Sequence, residues 1–147
     1  MNPFTYSIIP AKEADAVEIS RLSLELGYPT GMEETRGVLA RMLGSPSYFA
    51  VVASTGEGPL LGWAVAERRL MLESGESAEL TGLVVASAAR RLGVGSALVA
   101  AAEEWARANG FSSLRVRSNV TRAESHPFYE KLGFERAKTQ HAYRKAL

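Results

Sequence analysis

The run Leu83-Val84-Val85-Ala86-Ser87-Ala88-Ala89-Arg90-Arg91-Leu92-Gly93-Val94-Gly95-Ser96 decides the fold. Leu83, Val84 and Val85 end an apolar segment without alternation, as a strand with both faces covered does. From Val94 to Asn109, Leu98, Ala101, Ala102 and Trp105 recur on one helical face, Arg107 complements the dipole in the last turn, and Gly110 supplies a stop. A buried strand therefore passes through a glycine-containing turn into a strong helix. Gly93 and Gly95 let backbone approach a ligand closely, while the unpaired N–H groups of the first helical turn favour phosphate oxygens. A pyrophosphate suits such a turn. The turn is not a Walker A loop, because no Gly-Lys-Ser/Thr closes it, and it lacks the dinucleotide fingerprint, whose third glycine is replaced by Leu98.

Upstream, Thr5 to Ile9 alternates as a strand, and Ile19, Leu22 and Leu26 recur at helical spacing until Gly27. Thr30 and Glu33 have capping-box spacing and predict a second helix through Val38, Leu39 and Met42, before Gly44 and Pro46. Tyr48 to Ala53 and Leu60 to Ala66 flank a Gly- and Pro-containing turn and predict an antiparallel hairpin. Glu79 to Val85 reads as a central strand. Downstream come a strand at Leu114 to Arg117, a short helix from about His126 to Leu132 ended by Gly133, and a last strand at His141 to Lys145. The order is that of an α/β protein.

The chain has 147 residues, with 17 Lys plus Arg against 16 Asp plus Glu and a formal charge of +1. At 46% hydrophobic and 22% charged residues, with no repeat or linker, it reads as one globular domain over residues 1–147. Near-neutral charge disfavours nucleic acid as a partner. With no apolar run near 18 residues and no basic leader in Met1 to Pro10, the reading is a soluble, cytoplasmic protein without a membrane partner. There are no cysteines, which excludes disulfides, thiolate metal sites and a cysteine acyl-enzyme. His126 and His141 are too far apart, and too little supported by carboxylates, to read as a metal motif, so no metal is expected. Trp63, Trp105 and Phe111 are expected in the core.

Arg90, Gly93 and Gly95 match a motif of Arg or Gln, two residues, Gly, one residue, then Gly or Ala. With Val85, Asn119 and the stretch Ser125-His126-Pro127-Phe128-Tyr129-Glu130-Lys131-Leu132-Gly133-Phe134, the chain resembles the GNAT family of N-acetyltransferases over most of its length. Ser118-Asn119, Arg122, Ser125-His126, Phe128-Tyr129 and the ending Tyr143 to Leu147 look most like its small-molecule branch, which includes aminoalkylphosphonate and aminoglycoside acetyltransferases. Arg91 departs from the pattern, standing where the family often has Gly, and Pro127 replaces a commoner basic residue. The resemblance implies a mixed, mostly antiparallel sheet of about six or seven strands with about four helices, the central strands splayed apart near Val85.

It also implies acetyl-CoA as co-substrate. Arg90, Arg91, Leu92, Gly93, Val94, Gly95 and Ser96 would hold the pyrophosphate, and backbone at Leu83, Val84 and Val85 the pantetheine arm. Asn119, Arg122 and Phe128 complete the expected cofactor contacts. A backbone N–H on the splayed strand can polarise the thioester carbonyl. Amines have a pKa near 10 and need a base, for which the resemblance offers Glu79 through a water, with Glu76 and Glu73 in reserve and Thr81 and Gly82 where some relatives carry an acid. Tyr129 would be the general acid toward sulfur. A phenol is protonated at pH 7 and able to donate. The acceptor would be a small-molecule primary amine, attacked directly in a ternary complex and bound by the first two helices around Leu26 to Thr30 and by Met71 to Ser77. Peptide acetylation and a non-catalytic acetyl-CoA sensor are the alternatives. Association into homodimers is common in the family.

Overall fold

The computed structural model describes residues 5–117 and 125–147, apart from the side chains of Ser125 and His126. It divides into two compact units, Met1–Val116 and Arg117–Leu147. The first contains β1 (Ser7–Pro10), α1 (Ala16–Glu25), α2 (Met32–Leu43), β2 (Tyr48–Ser54), β3 (Gly62–Met71), β4 (Gly75–Val85), α3 (Val94–Ala108) and β5 (Leu114–Val116). Short 3-10 turns at Glu13–Asp15 and Ser87–Ala89 introduce α1 and follow β4. The second contains α4 (Ser125–Lys131), closed by Gly133 with φ +94° and a bond from Phe134 N–H to Tyr129 C=O.

The sheet runs in the order β1-β2-β3-β4-β5, antiparallel except for the parallel β4–β5 pair. Its strands alternate between two covered faces. Ala50, Val52, Trp63 and Val84 point to one face, where they meet Ile19 and Leu22 of α1 and Leu39 of α2. Gly62, on the opposite face, lies beneath Val94 and Leu98 of α3. On that side Trp105 stacks on Phe49 with ring centroids 5.6 Å apart and meets Phe111 at 6.4 Å, and Trp105 and Phe111 are both half-buried rather than in the core expected of them. Helix α3 ends as its sequence indicates, with Gly110 at φ +85° and Phe111 N–H bonded to Ala106 C=O.

Five strands are present among the described residues, against the larger number expected. His141 to Lys145 is no strand: the segment has no ladder partner among the described residues, and Tyr143 is 93% exposed. Alternation supplies a face but not a neighbour, and a strand exists only through pairing. The second helix also starts differently. Its N-cap is Gly31, without a side-chain cap, and the Thr30–Glu33 capping box does not form; Thr30 instead accepts a bond from Ser20 Oγ at its carbonyl. The reciprocal cap lies at the preceding turn, where Asp15 Oδ2 accepts from Lys12 N–H and Asp15 N–H donates to Lys12 C=O.

Candidate active site

Three features meet on β4. The first is an irregularity: Val65 pairs with Gly82 and Ala66 with Leu80, so Thr81 is an extra residue in the ladder, its hydroxyl donating to Val65 C=O at 3.3 Å. The second is loss of a neighbour. Pairing with β5 ends at Leu80–Val116, and Thr81 to Val85 face no further strand on that side among the described residues. Half the backbone groups of an edge strand point away from its partner, so this edge offers N–H and C=O groups to an extended ligand. Val84 also turns its side chain into the core, 4% exposed, which fixes the strand that offers them.

The third feature is the turn. After Ser87–Ala89 the chain is extended at Arg90, left-handed at Arg91 with φ +71° and left-handed again at Gly93 with φ +79°, the N-cap of α3. Arg91 thus occupies a backbone conformation that glycine adopts without cost. Val94 buries its side chain, 1% exposed, while the amides of Val94, Gly95 and Ser96 have no intrahelical acceptor. These residues fit a pyrophosphate by geometry as well as by motif.

Two residues that the sequence did not flag hold the turn. Tyr6 donates from its hydroxyl to Leu92 C=O at 3.3 Å. Glu25, at the end of α1, accepts from Ser87 N–H at 3.3 Å and from Ser87 Oγ at 2.8 Å. The Ser87 hydroxyl, with its amide, draws the Glu25 carboxyl below the ordinary carboxylate range. Glu18 is lowered too, first by its bond from Arg21, and accepts from Leu60 N–H at 3.0 Å, tying α1 to the β2–β3 connection. Both tyings span long sequence separations, and no local pattern announces them.

Between α1, α2 and the sheet lies a cleft of about 240 Å³ that reaches β4 at Thr81 and Gly82. Its floor includes Trp63, whose ring lies so close to Gly82 that a Cβ there would stand 2.5 Å from Trp63 Cζ3. Gly82→Ala is therefore expected to force the indole aside and lower stability by about 1–3 kcal/mol. A fall in urea midpoint at constant m would show it. Trp63 is thus both a core residue and a cleft wall. Of the segments expected to bind acceptor, Thr30 lines the cleft; Leu26 packs on the core beneath it, and Met71 to Ser77 form the far β3–β4 connection.

Glu79 shares the face of Val65 and Gly82 through the β3–β4 register. Its side chain is 9% exposed, and Arg69 donates to Oε2 at 2.9 Å while also reaching Glu67 at 3.4 Å. Glu76 pairs with Arg68 at 3.1 Å and stands five residues from Thr81, roughly 16 Å along the strand. In the second unit Tyr129 is flanked edge-on by Phe128 at 5.1 Å and Phe134 at 5.7 Å. Asn119 and Arg122 lie outside the described residues. Among those described, no group of His, Asp or Glu is arranged to hold a metal, and no helix is long and apolar enough to cross a membrane.

A turn with free amides at a helix start, a strand edge without a further neighbour among the described residues and an adjoining cleft are features of an α/β protein that a phosphorylated, extended coenzyme would fit. The pattern of the Acetyltransferase (GNAT) family matches residues 14–134. Aminoglycoside N(6')-acetyltransferase type 1 of Serratia marcescens is 30% identical over 125 residues, 82% of this chain and 86% of that protein. A protein of the same description from Klebsiella aerogenes is 36% identical over 100 residues, 66% of each chain. The structure of aminoglycoside N-acetyltransferase AAC(6')-Iy in complex with CoA superposes with a TM-score of 0.86 at 20% identity, covering 97% of this chain and 96% of that one. The chain belongs to the GNAT acetyltransferase family. It is an acetyl-CoA-dependent N-acetyltransferase with the fold of that family.

Proposed function

We propose that the enzyme acetylates the primary amine of a small molecule by direct attack within a ternary complex. One observation carries this reading: the turn and the cleft are joined by an edge of β4 that faces no further strand among the described residues. The turn begins after Val85 and the cleft meets the strand at Thr81 and Gly82. Three residues, Leu83 to Val85, lie between them, and Gly82 to Ala86 spans roughly 13 Å of extended strand. A pantetheine arm laid along Leu83 and Val85 from a pyrophosphate at Arg90 to Ser96 brings its acyl end to the cleft mouth. The names of the curated relatives support an acceptor of small-molecule size.

The chain's own residues then divide the work. Backbone N–H on the β4 edge polarises the thioester carbonyl, and the bulge at Thr81 turns that edge toward the acceptor. Glu79, or a water it orders, accepts the proton of the attacking amine. Tyr129 donates one to the departing thiolate, so the proton balance closes without an acyl-enzyme, for which the chain has no cysteine. Asn119, Arg122 and Phe128 contribute to coenzyme binding. A thiol-reactive dye reads the reaction directly, since a protein without cysteine adds no signal. Thiol release that depends on a small amine is the expected result; release only with peptides, or none with coenzyme bound, overturns it.

A further inference from the structure

We infer that the acceptor is a monoamine on a compact apolar body rather than a polycationic amino sugar. This rests on the proposed function and narrows it. The cleft walls are apolar on both sides: Ile19, Leu39 and Met42 from the helices, Ala50, Trp63 and Val65 from the sheet. No carboxylate is among the described residues that line them. On the neighbouring elements Glu18 and Glu25 pair with Arg21 and Glu67 and Glu79 with Arg69, while Glu33 and Glu34 stand exposed in the first turn of α2, outside the lining. Of the four lining hydroxyls, on Ser23, Thr30, Thr35 and Thr81, Ser23 Oγ donates to Ile19 C=O at 2.8 Å and Thr81 Oγ1 to Val65 C=O. Trp63 Nε1 is buried with no acceptor among the described residues, a donor and therefore no partner for an ammonium.

Several ammonium groups entering such a cleft would each lose hydration without gaining a counter-charge. A monoamine that attacks as the free base brings a single nitrogen, and its apolar body covers apolar wall. The volume, about 240 Å³, sits below the roughly 300–1,000 Å³ of drug-sized sites and suits one ring with a short arm. Val38, which lines the cleft and is 49% exposed, marks its mouth. The half-exposed Tyr28, in the connection between the two helices, and Met32, at the start of α2, add further apolar surface.

The test compares phenethylamine with kanamycin, in acetyl transfer and in calorimetric binding to the CoA-loaded protein, for the wild type, Val38→Ala and Val38→Lys. Phenethylamine is expected to bind, to exceed kanamycin at least tenfold in kcat/KM, and to lose at least tenfold in affinity with Val38→Lys, which sets a like charge at the mouth, but little with Val38→Ala. CoA affinity stays unchanged in both variants. Kanamycin binding or reacting better than phenethylamine overturns the inference and leaves the acetyltransferase reading intact, as does indifference of phenethylamine to Val38→Lys. Phenethylamine binding that Val38→Lys weakens, without consumption of acetyl-CoA, supports the cleft assignment and overturns the proposed reaction.

Discussion

Tyr129→Phe is expected to lower kcat by about 10²-fold or more, the scale on which a positioned proton donor contributes. Affinity for coenzyme should change little. The substitution suits the question because the aromatic ring is what Phe128 and Phe134 meet, edge-on at 5.1 and 5.7 Å, and phenylalanine keeps that ring. The Phe134 N–H bond to the residue 129 carbonyl is backbone and survives as well. Only the O–H is removed. If Tyr129 protonates the departing thiolate, the deficit shrinks with thioesters of more acidic thiols, which leave without help. A merely structural role would give the same deficit with every thioester and a lowered melting temperature. Unchanged kcat across pH removes Tyr129 from the chemistry.

The parts of this fold that announce themselves locally are those whose periodicity and stop signals agree. Helix α3 is an example, with its apolar face, its Gly110 stop and its glycine entry all readable within one stretch. The hairpin of β2 and β3 is another, although β3 continues to Met71, past the predicted end at Ala66, because β4 supplies a partner along its whole length. What escapes local reading depends on distant partners. Thr30 has the composition of a cap, yet its carbonyl is claimed by Ser20 and the helix begins one residue later than a Thr30 cap would start it. His141 to Lys145 lacks a ladder partner among the described residues.

In the site, the anion turn was legible because its glycines and strand-helix setting lie within about a dozen residues. The Tyr6 and Glu25 contacts that brace it were not, since Glu25 is 62 positions from Ser87 and Tyr6 is 86 from Leu92. The Trp63–Gly82 contact has the same origin. It supplies a physical reason why position 82 carries no acidic side chain: the indole already occupies the space where a Cβ would stand.

Gly95→Asp separates folding from coenzyme binding more sharply than any other single change. Position 95 is the second residue of α3, where the amides of the first turn have no intrahelical acceptor. For the helix alone, aspartate there is an improvement: it complements the positive dipole end, by about 0.3–1 kcal/mol, and replaces the poorer helix former. For a bound pyrophosphate the same carboxylate is a like charge at close range. At an effective dielectric of 20, two unit charges roughly 5 Å apart repel by about 3 kcal/mol, more than a hundredfold in affinity. The expected pair of results is therefore a melting temperature unchanged or raised and a coenzyme Kd at least a hundredfold weaker. Added salt should narrow the gap, since partly exposed charges are screened. Gly95→Asn, similar in size but uncharged, should lose far less. Tight coenzyme binding by the aspartate variant would move the pyrophosphate away from α3, and with it the alignment of the β4 edge that the proposed transfer requires.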